Sequence, residues 1–215
     1  MNKKIRDHLF VFNNVLWVIT TAVVLTLVVA PCIHQMDVEK YALDVYSGLS
    51  TEQIKSEFSH LVGYLWLWHR QPLQLSYFPM SQTGIIHFAE VKVFVDWIQI
   101  IWIITTIFLV IGTKKRLQKK EILFLKQTAM VTCALLGTLF LVALVAFDRL
   151  FVIFHQIVFR NEYWIFSTAT DPVIKILPEE FFMHGFFAIV AFVLVLSTVF
   201  LLMYKYYIKP IKVLE

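Results

Sequence analysis

Hydrophobic residues gather in four long runs along the chain, separated by segments rich in charged and polar residues. The runs cover residues 15–33, 93–111, 128–147 and 186–204. A helix needs roughly 20 predominantly apolar residues to cross about 30 Å of hydrocarbon. The pattern therefore predicts an all-α integral membrane protein with four transmembrane helices.

The composition agrees with this prediction. Hydrophobic residues make up 59% of the 215 residues, and the mean hydropathy of +0.73 is outside the soluble range. We expect residues 1–215 to form a single membrane domain.

Basic residues cluster before the first run, between the second and third runs, and in the tail. They are Lys3, Lys4 and Arg6; Lys114, Lys115, Arg116, Lys119, Lys120 and Lys126; and Lys205, Lys209 and Lys212. Short loops keep such residues on the cytoplasmic side of a membrane. Both termini are therefore predicted to be cytoplasmic, with residues 34–90 and 149–182 as extracytoplasmic segments. The same distribution accounts for the net charge of +4, so we predict no nucleic-acid partner.

The first external segment contains a helix signal. Ser50 followed by Gln53 is typical of a capping box, and Ile54, Phe58 and Leu61 then recur at helical spacing. We expect a helix lying flat in the membrane interface with its apolar face in lipid. The proline-containing stretch after it predicts extended chain with turns.

The second external segment begins as a continuation of the third apolar run. We expect that run to extend or bend into another interfacial stretch. Asp171 before Pro172 predicts the start of a short helix. Together the two segments are predicted to form an extracytoplasmic cap of interfacial helices and extended loop.

Ionisable residues stand where the second apolar run begins. His87 and Glu90 are three residues apart and share a helix face, whereas Lys92 and Asp96 form a separate pair at four-residue spacing. Asp96 lies about one turn into the apolar run. Ionisable groups at that depth in a membrane are costly and are therefore functional candidates. The alternative is that Lys92 and Asp96 only neutralise each other and anchor the helix end.

His155 lies between phenylalanines on its own helix face, with Asp148 two turns earlier on nearly the same face. A histidine in apolar surroundings tends to stay neutral and can accept a proton. A lone histidine would more often be structural, but His87 makes a catalytic pair plausible.

Several other chemistries lack their motifs. There is no HExxH, HxH or spaced carboxylate cluster for a metal, no GxSxG serine elbow, and no glycine-rich phosphate loop for a nucleotide. Cys32 and Cys133 lie at different depths and cannot form a disulfide. We therefore predict acid/base catalysis by histidine at a lipid surface, without a cofactor, metal or nucleotide.

Three motifs in order carry a family resemblance. "HFAEVK" at the second run, "RLFVIFHQIVFRNEYW" after the third and "TDPVIKILPEEFF" before the fourth resemble the bacterial lipoprotein intramolecular transacylase family, Lit. The first motif of that family more often reads His-Met-x-Asp-Val-Lys, so Phe88 and Glu90 are departures. The resemblance covers essentially the whole chain.

The resemblance implies an acyltransferase of the bacterial cytoplasmic membrane with its active site on the extracytoplasmic face. The sn-2 acyl chain of an S-diacylglyceryl lipoprotein would move to the α-amine of its N-terminal cysteine, giving the lyso form. The expected partners are a diacylated lipoprotein and membrane lipid.

For this reaction we hypothesise that His155 or His87 is the general base and that the other assists the leaving oxygen or stabilises the oxyanion. The apolar flanks of His155 favour it as the base. The resemblance implies roles for further residues. Glu90 would orient His87, and Lys92 would offset negative charge. Arg160, Trp164 and Asp171 would position the glycerol or the peptide start.

Two alternatives belong to other classes. An outward-facing lipid or peptide hydrolase would use the same histidines with water as the nucleophile. A non-catalytic membrane assembly factor would bind a partner through the cap and would tolerate loss of the histidines.

Overall fold

Helices account for all regular secondary structure in the part of the chain that the structure describes. The computed structural model describes residues 2–212, with side chains up to residue 208. The ends of the predicted 1–215 domain and the side chains of Lys209 and Lys212 therefore lie outside the described residues. The helices are α1 (Lys3–Lys40), α2 (Leu43–Ser47), α3 (Thr51–Tyr64), α4 (Gln82–Gln118), α5 (Leu123–Val158) and α6 (Glu179–Lys212), with a 3₁₀ helix at Pro172–Ile176.

Four of these helices are long and apolar enough to cross a membrane: α1, α4, α5 and α6. In the most apolar 18-residue window of each, only 11–33% of the residues are buried inside the protein. The remaining apolar side chains need lipid to cover them. The prediction of an all-α chain with four such helices is confirmed.

Each long helix extends beyond the apolar run that predicted it. The 37 residues of α4 span about 55 Å at 1.5 Å per residue, against about 30 Å of hydrocarbon. Hydropathy marks only the part of a helix that lies in lipid, so the sequence underestimated the helix lengths. The excess at the start of α4 carries His87 and Glu90.

The chain divides into two compact units, and the first is formed by residues up to 25, 98–141 and from 188 onward. Polar side chains link its helices. Trp17 Nε1 donates to Thr106 Oγ1 at 2.9 Å, and the hydroxyls of Thr132 and Ser197 are hydrogen-bonded at 2.8 Å. Such interhelical hydrogen bonds stabilise packing where apolar burial contributes little.

Arg116 holds one end of this unit together. Its guanidinium pairs with Asp7 at 2.8 Å and Glu121 at 3.5 Å, and it covers the ring of Phe10. Lys3 donates to Glu121 at 2.9 Å, and this hydrogen bond lowers the pKa of the Glu121 carboxyl. One basic residue of the predicted cytoplasmic loop thus also has a structural role.

The second unit consists of residues 26–97 and 142–187 and contains the predicted external segments. The capping box is present, since Gln53 N donates to Ser50 Oγ at 3.3 Å and Ser50 N donates to Gln53 Oε1 at 2.8 Å. The expectation that the apolar face of α3 lies in lipid is wrong. Ile54, Phe58 and Leu61 are buried within the protein, because periodicity predicts an apolar face but not what covers it.

His34 is a structural histidine at the centre of this core. Its ring stacks on Phe58 with centroids 3.7 Å apart and meets the edge of Phe181 at 5.5 Å. Its Nε2 donates to the carbonyl of Ile176 at 2.7 Å. It therefore joins α1 to α3, to the 3₁₀ helix and to the start of α6.

The third apolar run bends as predicted. Within α5, Ala146 has φ −150° and ψ 53°, which interrupts the helix. The part beyond it, up to Val158, carries His155.

The chain between α3 and α4 has no regular secondary structure over residues 65–81. The stretch predicted to be extended ran to residue 84, and its last three residues instead begin α4. Buried charged side chains bind its backbone. Glu57 Oε1 accepts from Ser76 N at 2.9 Å, and Lys92 Nζ donates to Trp66 O at 3.1 Å.

Candidate active site

The start of α4 places His87 one turn into the helix. Ser81 caps the helix, because its Oγ accepts from Gly84 N at 3.0 Å. His87 follows three residues later, and its side chain is buried, with 7% of its surface exposed.

The end of α5 supplies the second histidine. His155 lies in the last turn and is 9% exposed. The helix ends at Val158, and Arg160 then adopts a left-handed conformation with φ 57°. This conformation reverses the chain direction at a helix end and is usually adopted by glycine. We call residues 159–171, which follow His155, the closing segment.

The two histidine rings lie beside each other, tilted by 37°, within a group of aromatic side chains that we call the aromatic pocket. Their centroids are 5.9 Å apart. Around them lie Phe151, Phe154, Phe159, Trp164 and Phe166, each within 5.5 Å of one ring or both. Aromatic side chains from α5 and the closing segment thus surround two imidazoles with little access to water.

Hydrogen bonding distinguishes the two histidines. His155 Nδ1 lies 2.8 Å from the carbonyl oxygen of Phe151. A carbonyl can only accept, so Nδ1 carries the proton and Nε2 of the neutral ring has a free lone pair. His87 Nδ1 is buried without a hydrogen-bond partner among the described residues. Both rings therefore retain polar capacity that a bound molecule could use.

Glu90 binds Asn161 of the closing segment. Asn161 Nδ2 donates to both carboxylate oxygens, at 2.9 and 3.1 Å. The expectation that Glu90 orients His87 is not met, because its carboxylate is bound by Asn161 and no hydrogen bond joins it to the imidazole within the described chain. Asn161 was not among the predicted residues, and its position three residues after a helix end is a weak signal.

Lys92 and Asp96 form the predicted pair within α4. The Lys92 ammonium is buried and also donates to Trp66 O. The pair therefore has a structural function, since it ties residues 65–81 to α4.

The remaining predicted residues differ in their burial and in their contacts. Trp164 packs on His155 with ring centroids 4.8 Å apart. Asp171 is buried, and its Oδ1 accepts from Ser81 N at 2.8 Å. Asp148 and Arg160 are exposed, and neither makes a polar contact to a described side chain.

No group of three His, Cys, Asp or Glu side chains suited to holding a metal ion occurs among the described residues. The groups gathered at the pocket are two imidazoles, an indole and several phenyl rings. They suit proton transfer on an apolar substrate.

A family model identifies the chain. The model of the lipoprotein intramolecular transacylase Lit matches residues 8–182. The chain belongs to the Lit family. The matched residues contain both histidines and the whole closing segment.

Solved structures of Lit from Bacillus cereus are similar over nearly the full chain. One matches with a TM-score of 0.89 at 28% identity, covering 98% of this chain and 100% of that chain. Two others carry a single histidine substitution, to arginine and to alanine, and match with TM-scores of 0.83 at 28% identity. They cover 99% and 98% of this chain, and 96% and 97% of their own chains. A search of curated proteins gives no match.

The tautomer of His155 can be measured directly. Because Phe151 O accepts from Nδ1, neutral His155 is expected to carry its proton on Nδ1. In ¹⁵N-histidine-labelled protein, NMR at a pH where the imidazole is neutral should show this tautomer, assigned by loss of the signal in His155→Gln. A dominant Nε2–H tautomer would contradict the hydrogen bond.

Proposed function

We propose that this chain transfers the sn-2 acyl chain of an S-diacylglyceryl lipoprotein to the α-amine of its N-terminal cysteine. The product is the N-acyl, S-monoacylglyceryl form. The observation that carries the proposal is the neighbouring pair of His87 and His155 in the aromatic pocket, in a chain of the Lit family.

His155 is the general base in this proposal. The α-amine must be unprotonated to attack, and His155 Nε2 takes the proton that the amine loses as its nitrogen bonds to the ester carbon. The hydrogen bond from Nδ1 to Phe151 O orients the ring and stabilises its positive charge once Nε2 is protonated.

His87 stabilises the oxyanion. The tetrahedral intermediate carries negative charge on the former carbonyl oxygen, and an imidazole N–H aimed at that oxygen lowers the barrier. The carbon–oxygen ester bond then breaks, and His155 returns the proton to the departing glyceryl oxygen. An ester becomes an amide within one molecule, so neither water nor an activated donor is consumed.

The aromatic surroundings favour transfer over hydrolysis. His87 and His155 are only 7% and 9% exposed, so few water molecules reach the ester. Amine and ester belong to one substrate, and holding them together raises the effective concentration of the nucleophile greatly, to about 10⁵ M or more in well-oriented systems. Both effects argue against the hydrolase alternative.

The variants of the Bacillus cereus relative support a role for His87. Each replaces one histidine, at nearly the same place along that chain as His87 has here, and the two chains cover each other almost completely. We take the replaced residue to be the counterpart of His87.

The other predicted residues divide by their contacts. Trp164 packs on His155 and would cover the acyl chain or glyceryl group. Arg160 is exposed and would meet the polar start of the lipoprotein peptide. Lys92 does not need to offset developing charge, since its ammonium is already bound by Asp96 and Trp66 O. Asp148 receives no role, because it is exposed without a contact to the pocket.

Isosteric substitutions separate the two histidines. A glutamine side chain donates hydrogen bonds but cannot accept the amine proton. His155→Gln should therefore abolish lyso-lipoprotein formation, whereas His87→Gln should retain a fraction and His87→Ala should lose about 100-fold. The measurement is mass spectrometry of the N-terminal lipopeptide from a host that lacks the enzyme.

Thermal unfolding in detergent serves as the folding control for these variants. The reverse pattern, with His155→Gln active and His87→Gln inactive, would show that His87 is the general base. Free fatty acid in place of N-acyl cysteine would favour the hydrolase. Full activity of the double alanine variant would favour the assembly factor.

The topology is part of the proposal. Both termini are cytoplasmic, the pocket opens on the extracytoplasmic face of the bacterial cytoplasmic membrane, and residues 1–215 act as one membrane domain. The basic residues at the predicted cytoplasmic ends and loop support this orientation, as does the location of the lipoprotein substrate.

Cysteine labelling tests this orientation. In a background with Cys32→Ser and Cys133→Ser, the exposed positions Glu162 and Lys119 are replaced singly by cysteine. A membrane-impermeant maleimide added to intact cells should label the chain with Glu162→Cys and leave the chain with Lys119→Cys unlabelled until the cells are lysed. Labelling of the Lys119→Cys chain in intact cells would show that the topology is the inverse of the one proposed.

A further inference from the structure

The closing segment runs antiparallel to the first turns of α4 and contacts it at three levels. Gly84, His87 and Glu90 recur every third residue, and each step turns about 60° around the helix axis. Asp171 meets Ser81 and Gly84, Phe166 meets His87, and Asn161 meets Glu90. The segment that leaves α5 just after His155 thus winds along the part of α4 that carries His87.

A carboxylate from the closing segment completes the helix cap at one end of this contact. In a capping box, the side chain at the third helical position accepts from the backbone N–H of the capping residue. That position in α4 is Gly84, which has no side chain. Asp171 Oδ1 takes its place and accepts from Ser81 N at 2.8 Å.

Gly84 is required by this arrangement. A Cβ at position 84 would lie 2.2 Å from Asp171 Oδ1, much closer than van der Waals contact allows. A side chain there would displace the carboxylate from the cap. Asp171 itself is buried and also accepts from Thr170 Oγ1 at 2.7 Å, so it has little freedom to move.

At the other end of this contact, the side-chain amide of Asn161 binds the carboxylate of Glu90. Asn161 Nδ2 donates to both oxygens of Glu90. Asn161 Oδ1 accepts from Tyr163 N at 3.0 Å, and its backbone carbonyl accepts from Trp164 Nε1 at 2.9 Å. The same residue therefore anchors the segment on α4 and sets the indole that packs on His155.

Between these two ends, His87 is held by ring packing alone. Phe159 and Phe166 lie against it with ring centroids 4.8 and 5.5 Å away. No hydrogen bond to a described residue fixes the imidazole itself. Its distance from His155 therefore depends on how the closing segment is seated on α4.

We propose that Asn161 and Asp171 are positioning residues for acyl transfer, which clamp the closing segment onto α4 at Glu90 and at Ser81–Gly84 and thereby hold His87 beside His155. The inference rests on the proposed function. It assigns Asp171 to the enzyme's own geometry instead of to the substrate, and it explains why glycine occupies position 84.

The end of the clamp at Asn161 is tested by exchanging the hydrogen-bond donor and acceptor between Asn161 and Glu90, which changes side-chain volume little. Asn161→Asp places two carboxylates face to face and should reduce kcat for transacylation about 10- to 100-fold, with KM for the lipoprotein changed less. Adding Glu90→Gln restores one donor and one acceptor, with the hydrogen bond reversed, and should recover most of the lost activity. Glu162→Gln, an exposed neighbour, should leave activity unchanged.

A pair of glycine substitutions tests the Asp171 end. Gly84→Ala should lower kcat by a similar factor because it displaces Asp171. Gly63→Ala is the matched control, since a Cβ at that helical position meets nothing within 4 Å. Melting temperatures of all variants in detergent separate loss of position from loss of fold.

The outcomes distinguish the two proposals. A wild-type chain that produces no N-acyl lipoprotein would overturn the proposed function. An active wild type in which Gly84→Ala matches Gly63→Ala, or in which the double variant is no better than Asn161→Asp alone, would overturn the clamp. Recovery of kcat in the Asn161→Asp, Glu90→Gln double variant would show that the effect of Asn161→Asp arises from its contact with Glu90 and not from another contact.

Discussion

Hydrogen bonds between three buried charged side chains and the backbone of residues 65–81 hold this segment in place within the second unit. Lys92 donates to Trp66 O, while Glu57 and Asp171 accept from Ser76 N and Ser81 N. Backbone groups next to a membrane must be paired inside the protein where water does not reach them. Chain without helical or sheet bonds therefore needs side chains to pair it, and charged ones form the strongest hydrogen bonds.

This use of charge leaves the pocket with neutral, apolar walls. Lys92, Glu90 and Asp171 all lie on or near the first turns of α4, yet each is paired with protein groups. Among the described residues that form the pocket, polar capacity stays free on the two imidazoles, at His87 Nδ1 and at Nε2 of His155. A site of this kind suits a substrate with long acyl chains and one ester, because its acid/base groups lie among aromatic rings.

The sequence predicted what depends on local spacing. The four apolar runs, the capping box at Ser50 and the Lys92–Asp96 pair each follow from residues within one helix or one run. The relation of His87 to His155 was only a possibility in the sequence, because 68 residues separate them along the chain and no local pattern reports their distance. The sequence offered the pair only because each histidine stands at the end of an apolar run.

Long-range contacts account for what the sequence could not show. Glu90 is bound by Asn161, and Asp171 accepts from Ser81 N, across separations of 71 and 90 residues. The apolar face of α3 is covered by protein because His34, Val173 and Ile176 reach it from other segments. Periodicity predicts such a face, whereas its cover depends on tertiary packing.

The central claim is that one lipoprotein molecule supplies both the acyl chain and the amine, and a crossover measurement tests it most directly. Two diacylglyceryl lipopeptides of different mass, only one of them with a deuterated sn-2 acyl chain, are incubated together with the enzyme in one membrane. The account predicts that every deuterated N-acyl cysteine belongs to the peptide that carried the label. Label on the amine of the other peptide, or deuterated free fatty acid as the main product, would contradict it.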